Sequence, residues 1–288
     1  MIAYDEDGTQ LTIYSPDERQ GGLIWVVRQG FRDICGGRHV VAILFMRDFV
    51  AQFRQKILGY FWALLTPLLG ILNFLYLNFT GVLKPGVTDM PYALYVLIGS
   101  NIWSVMNGTM GAVSGGLQSQ ADLIMRTSVP KLALAVSSLA SALYGILISM
   151  VTMGVVFLIH GIWPSPWFVA YPLLIAPLII MGVSMGLIIS VAGVIAKDLP
   201  AIATQALGIL MYITPVVYLP EKVENSVIRA FVQYNPFTYL VDIPRSLIFH
   251  GTAHNIELYL LIAMATLLCL IISLRIFYLI SDLVAERL

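Results

Sequence analysis

Six apolar runs dominate this 288-residue chain, at about 60–80, 92–114, 132–159, 168–195, 201–219 and 257–280. Each approaches or exceeds the ~20 residues needed to cross a hydrocarbon core about 30 Å thick. In lipid every backbone N–H and C=O must find a partner within the protein, which favours helices. The sequence therefore predicts an all-α, polytopic membrane protein with six transmembrane helices. Composition agrees: 59% of residues are hydrophobic and 11% charged, against about 45–50% and 25% for a soluble domain.

The formal net charge is zero, so no overall field favours nucleic acid. The distribution is more informative. Of the 16 Lys and Arg, 12 fall before the first run, in the alternate loops that share its side, or at the C-terminal end, and 4 fall on the other side. The positive-inside rule then places both termini in the cytoplasm. Residues 1–22 are polar and acidic and lack the apolar core of a cleavable signal peptide. Cys35 and Cys269 read as packing residues rather than a disulfide.

Residues 1–21 read as a flexible tail. Residues 22–58 read as amphipathic interface and elbow helices, and 59–288 as the transmembrane domain. Leu23, Val27, Phe31 and Ile34 recur at helical spacing, with Arg28, Gln29, Arg32 and Asp33 opposite, until Gly36-Gly37 breaks the pattern. Val41, Leu44, Phe45, Phe49, Phe53 and Ile57 then run beside Arg47, Asp48, Gln52, Arg54, Gln55 and Lys56. Such helices can rest on headgroups with the basic face outward or pack on protein, and the two do not exclude each other. Small residues four apart read as packing seams between spans. They are Ala133, Ser137, Ser141, Gly145 and Ser149; Gly182, Gly186 and Ser190; and Gly108, Ala112 and Gly116, with Gly111 and Gly115 beside them. Between the last two runs lie two half-length apolar pieces, 227–232 and 236–249, the second carrying Asp242 and Arg245. They fit two short re-entrant helices over about 226–250, joined near Asn235-Pro236, or a plain external loop with one amphipathic helix. Phe231, Tyr234 and Phe237 are candidates for an outer gate.

Several functions are disfavoured. All 16 carboxylates fall in tails, loops or span ends, whereas an ion-coupled transporter usually carries ionisable groups in mid-membrane. Lys56, Lys84, Lys131, Lys197 and Lys222 all lack the preceding Gly of a phosphate-binding P-loop. His250 and His254 are four apart, but Gly251 and Thr252 between them weaken any helical pairing and make this a poor metal pair. The chain reads as having no catalytic set and no cofactor of its own, and as unable to use ATP alone. One positive signal remains. Trp62, Thr66, Leu69, Asn73, Tyr76 and Thr80 share one face of the first span, and Gln205, Gly208, Tyr212, Pro215 and Tyr218 echo it in the fifth. Aromatic faces with sparse hydroxyl and amide groups suit sugar rings that stack and slide. Taken singly, Trp62 and Tyr218 equally fit interface-belt aromatics, and Asn73 a helix–helix hydrogen bond.

Arg47-Asp48, Phe53-Arg54-Gln55, Leu58-Gly59, Trp62 and Pro67 resemble the permease subunits of bacterial type-2 ABC exporters, nearest to those that export O-antigen polysaccharide. Val129-Pro130-Lys131, Lys197-Asp198, Thr214-Pro215-Val216, Asn235-Pro236, Arg245 and Ala285-Glu286 continue the likeness in order, over about 23–288. The family more often has Arg-Asp and Ser-Pro where this chain has Lys197-Asp198 and Thr214-Pro215.

The resemblance implies a homodimeric channel in the bacterial inner membrane, driven by two separate ATPase subunits that hold ATP and Mg. The implied substrate is a polyprenyl-diphosphate-linked glycan, with membrane lipids around it. Trp62, Thr66, Asn73, Tyr76, Tyr212 and Tyr218 would line the channel. Residues 115–131 correspond to the family's coupling segment, with Gln118, Asp122, Arg126 and Lys131 toward the ATPase. Arg28 and Arg32 lie on its interface helix. Exporters of teichoic acid, capsule, lipid or drug, and a passive channel without an ATPase, stay open as alternatives. The 11 Arg against 5 Lys lean toward a Gram-negative source and O-antigen.

Overall fold

The computed structural model describes residues 2–4, 10–12, 22–54, 59–82, 89–120, 129–220 and 225–285. Within the segment expected to be a flexible tail, β1 (Ile2–Tyr4) and β2 (Gln10–Thr12) pair antiparallel, with Ala3 opposite Leu11. The rest of the described chain is built on helices. These are α1 (Leu23–Gly36), α2 (Arg38–Arg54), α3 (Gly59–Phe79), α4 (Tyr92–Ser119), α5 (Lys131–Ser137) and α6 (Ala140–Ile159). They continue as α7 (Tyr171–Leu174), α8 (Ala176–Ile195), α9 (Leu199–Ile213), α10 (Ser226–Tyr234), α11 (Pro236–His250) and α12 (Ile256–Ala285).

Among the described residues, four stretches are long and apolar enough to cross a membrane: Phe61–Phe79, Lys131–Ile159, Ala176–Gly193 and Ile256–Ile280. The other two runs differ for local reasons. In α4, Ser, Asn, Gly and Thr dilute a 28-residue helix that carries no Asp, Glu, Lys or Arg. In α9 the helix stops after 15 residues, at Ile213, short of the 219 expected from the sequence. Pro215 explains the stop, because a residue before proline is pushed out of the α region, and Thr214 sits at φ −83°, ψ 137°. The third run bends where α5 meets α6. There Ser137 and Ser138 hydroxyls donate to the carbonyls of Leu134 and Ala135 at 2.7 and 2.6 Å. The fourth starts as a short helical turn at Pro166–Phe168, then α7, before Pro177 opens α8.

At the centre α4 packs on α8, with α12 on the other side of α8 and α6 on α4. Glycine allows the close approach. A Cβ at Gly182 would lie 2.7 Å from the Met106 carbonyl oxygen, and one at Gly186 2.7 Å from the Val113 Cβ. Ser184 and Ser190 are also buried on α8, their hydroxyls donating to Ile180 and Leu187 carbonyls of their own helix at 2.7 Å. That returns each polar group to the backbone. The small residues of α4 behave differently from the seam expected of them. Gly116 meets Ser138, but a Cβ at Gly108, Gly111 or Gly115 would meet nothing within 4 Å. The α8 seam uses Met106, Thr109, Met110 and Val113, on the opposite side of α4 from Gly108 and Gly111. Spacing alone does not distinguish a helix face that needs room from one that leaves it.

Candidate channel face

Helix α3 is two-sided. Ala63 and Ile71 are buried, and Leu68, Phe74 and Leu75 pack against the core. The opposite face, with Trp62, Thr66, Asn73, Tyr76 and Thr80, is exposed along its whole length. Trp62 is 44% accessible and Tyr76 67%. Pro67 cannot donate a backbone hydrogen bond within α3. Just before it, the Thr66 hydroxyl donates to the Trp62 carbonyl at 2.8 Å. The hydroxyl proton is therefore spent within the helix, and what Thr66 offers outward is a methyl group and a free lone pair.

Helix α9 presents Gln205 and Tyr212 on an exposed side. The Phe74 and Tyr212 rings lie 6.4 Å apart, which brings α3 and α9 together at one end. Both helices also pack on α4, whose Ser104, Gly108 and Gly111 are exposed. These three small residues add a smooth stretch, of which the sequence flags Gly108 and Gly111 only as part of a packing seam. Tyr218 does not extend the α9 face as a helix would place it. It lies beyond the end of α9, half-buried, with its hydroxyl donating to the Ile213 carbonyl at 2.9 Å and its own carbonyl accepting from Tyr95 at 3.0 Å.

Residues 214–218 form an unwound segment held from two sides. Tyr92 and Tyr95 of α4 donate to the Val217 and Tyr218 carbonyls at 2.9 and 3.0 Å. A Cβ at Gly99 would lie 2.5 Å from the Val216 carbonyl oxygen, so only glycine fits there. From α11, Arg245 donates to the Pro215 carbonyl at 2.9 Å and the Val216 carbonyl at 3.4 Å. Its guanidinium sits 3.9 Å from the Tyr95 ring centroid. Arg245 is 1% accessible, and its carboxylate neighbour Asp242 is 3.9 Å away and partly in the open. Carbonyl dipoles and an aromatic face therefore do most of the work of holding this buried cation. The sequence does signal it: an arginine inside an apolar stretch needs specific partners.

The two short helices expected near 226–250 are present as α10 and α11, meeting at Asn235-Pro236. The Asn235 side chain accepts from Phe237 N–H at 3.0 Å, capping α11, and donates to the Thr214 hydroxyl at 2.9 Å. Of the three candidate gate aromatics, Phe231 and Tyr234 are 67% and 84% accessible on α10. Phe237 instead meets Trp103 edge to face, with centroids 5.7 Å apart.

At the opposite end, Gln118 lies in the last turn of α4 and Lys131 opens α5. Asp122 and Arg126 lie outside the described residues, as does the side chain of Gln118. Nearby, Gln120 is buried and donates to the Ser137 hydroxyl at 3.2 Å, a tie between α4 and α5 that no sequence pattern marked.

On α1, Val26 and Gly30 are buried and Arg28 and Arg32 exposed, while Leu23, Ile24, Val27, Phe31 and Ile34 form an open apolar side. The helix is pinned to α12. Tyr278 donates to Asp33 at 2.7 Å, Gln29 donates to the other Asp33 oxygen at 2.9 Å, and Trp25 meets the Tyr278 ring edge-on at 6.0 Å. Burial raises the Asp33 pKa above the ordinary carboxylate value, and the two hydrogen bonds offset part of that rise. In α2, Leu44 is buried against the bundle, and Arg47 pairs with Asp48 at 2.7 Å in the open.

Residues 39–249 match the ABC-2 type transporter family. The chain belongs to that family. This permease is also 24% identical over 211 residues to the O-antigen export system permease protein RfbA of Myxococcus xanthus, covering 73% of this chain and 80% of that protein. The matched region runs from α2 to α11 and so contains the α3 face, the exposed small residues of α4, the unwound segment and the Arg245 brace.

Proposed function

We propose that this chain is the membrane-spanning subunit of an ATP-driven exporter that moves a lipid-linked polysaccharide, of the O-antigen type, across a bacterial inner membrane. The permease works as a homodimer. Two separate ATPase subunits bind ATP and Mg and dock on the segment that includes Gln118, Asp122, Arg126 and Lys131. In this reading α4 and α9 join the four long apolar stretches to give six crossings with both termini in the cytoplasm. Helices α10 and α11 dip into the outer leaflet, where Phe231 and Tyr234 border the exit.

The α3 face carries the reading. Trp62, Thr66, Asn73 and Tyr76 are left open while Leu68 and Leu75 pack inward, so the polar-aromatic side is available to a second copy and to the cargo between the copies. Flat rings with few directional donors let a glycan stack without arresting it, and the bare backbone of Gly108 and Gly111 adds clearance. Family membership and the likeness to an O-antigen permease support the same conclusion.

The test is export in a strain that depends on this permease. Trp62→Ala combined with Tyr76→Ala should lower surface polysaccharide several-fold at unchanged protein level, whereas Leu268→Ala, exposed on α12, should not. With the ATPase turning over, Thr66→Cys and Asn73→Cys should react with aqueous thiol reagents and Leu75→Cys should stay protected. Full export from the double aromatic variant, or labelling only at Leu75→Cys, would remove the glycan path from this face.

A further inference from the structure

A second opening lies away from the α3 and α9 faces. Under α1 is a cavity of about 270 Å³, walled by Val27, Gly30, Phe31 and Ile34 of α1 and by residues of α4, α5, α8 and α12, among them Val136, Val183 and Leu274. All of the lining residues are apolar or glycine. The volume exceeds the ~150 Å³ of an apolar void that stays dry yet admits a benzene-sized ligand, so water is a poor occupant. Its rim is open: Val27 and Phe31 are 48% and 72% accessible. The α5, α8 and α12 walls belong to stretches apolar enough to cross a membrane, so in the topology proposed above the mouth under α1 lies at the membrane surface, within reach of a lipid tail.

The charges on α1 narrow the choice of occupant. Arg28 and Arg32 each follow a rim residue and so lie about 100° further round the helix, exposed between the cavity rim and the side of α1 that meets Tyr278 of α12. A molecule with its tail in the cavity would carry its headgroup up past Val27 and Phe31 to these two guanidinium groups. We propose that the cavity seats an acyl chain of an anionic phospholipid of the cytoplasmic leaflet, its phosphate held beside Arg28 and Arg32. The sidedness rests on the topology proposed above, but the assay below measures lipid retention and is independent of export. Such a lipid fills the space between α1 and the bundle that α1 leaves open on one side.

The purified full-length chain in detergent, incubated with dioleoylphosphatidylglycerol or dioleoylphosphatidylcholine, is read by native mass spectrometry. Two arginines at headgroup level predict one phosphatidylglycerol retained per chain with a preference on the order of tenfold. Val136→Trp, which fills the cavity from the last turn of α5, should abolish retention. Met264→Trp, exposed on α12 outside the cavity, should leave it unchanged. Arg28→Gln with Arg32→Gln should keep a lipid and erase the preference. Val183→Phe fills the cavity from the opposite wall and replaces Val136→Trp if that variant does not elute as a single species. Equal retention of the two lipids by the wild-type chain, no retention, or unchanged retention by the filled variants overturns the assignment. So does capture of undecaprenyl phosphate with phosphatidylglycerol excluded, which gives the cavity to a prenyl chain.

Discussion

Replacing Arg245 separates a specific brace from ordinary packing. Its 2.9 Å bond to the Pro215 carbonyl comes from a charged donor, a class worth about 1.5–3 kcal/mol. The 3.4 Å bond to Val216 adds less, and the stack on Tyr95 adds up to about 2 kcal/mol when desolvated. Arg245→Met removes all three and strands two carbonyls, but it also removes the cost of keeping a guanidinium out of water, several kcal/mol. The net expectation is a loss of about 2 kcal/mol, or roughly 4–8 °C in melting temperature for a chain of this size.

Arg245→Lys should be worse, at about 3–5 kcal/mol, because it keeps the buried charge and loses the planar fork. The assay is thermal unfolding in detergent at one fixed scan rate, since membrane-protein melting is scan-dependent when irreversible. A local readout accompanies it: Val217→Cys, at a position 3% accessible, should be protected from thiol reagents with Arg245 present and labelled with Met there. If Lys equals or exceeds Met in stability and Val217→Cys stays protected in both, the carbonyl brace is not what holds the unwound segment.

Gly186→Ala puts a Cβ 2.7 Å from that of Val113 and should cost about 1–3 kcal/mol by overpacking, whereas Gly108→Ala meets open space and should be neutral or slightly stabilising in the same melting assay. Asn235→Ala removes both the α11 cap and the tie to Thr214 and should cost about 1–2 kcal/mol; an unchanged melting temperature would show the cap to be dispensable. Because burial raises the folded-state pKa of Asp33, its contribution is greatest at acid pH and is lost as pH rises through that raised value. Asp33→Asn, which stays neutral, should therefore melt above the wild-type chain at pH 8, and the gap should close below the ordinary carboxylate pKa of about 3.9. A gap that does not vary with pH would show that desolvation of Asp33 is not the cause.

The apolar runs and the amphipathic patterns were legible from sequence because burial in lipid or against a bundle acts through spacing that the chain displays directly. Other features depend on geometry that spacing does not encode. Gly108 and Gly186 sit in similar small-residue stripes, yet one faces open space and the other a valine of the neighbouring helix. The end of α9 at Ile213 follows from Pro215, but the six-residue shortening shows only once the carbonyls of 215 and 216 have found Arg245, 30 and 29 residues later. Tyr218 left the predicted stripe for that reason. Asp122 and Arg126 lie outside the described residues, so their place on the coupling segment remains a reading of the family pattern.

The hydrogen bond between Asp33 and Tyr278 joins positions 245 residues apart, and this has a consequence for biosynthesis. Helix α1 leaves the ribosome early, whereas the helix it docks against is the last one described. At about 5–20 residues per second, roughly 12–50 s pass before Tyr278 is made. Throughout that interval Trp25 and Asp33 lack their α12 partner, and the contacts of α1 with α5 must hold the helix. Its final docking therefore waits for the last described helix.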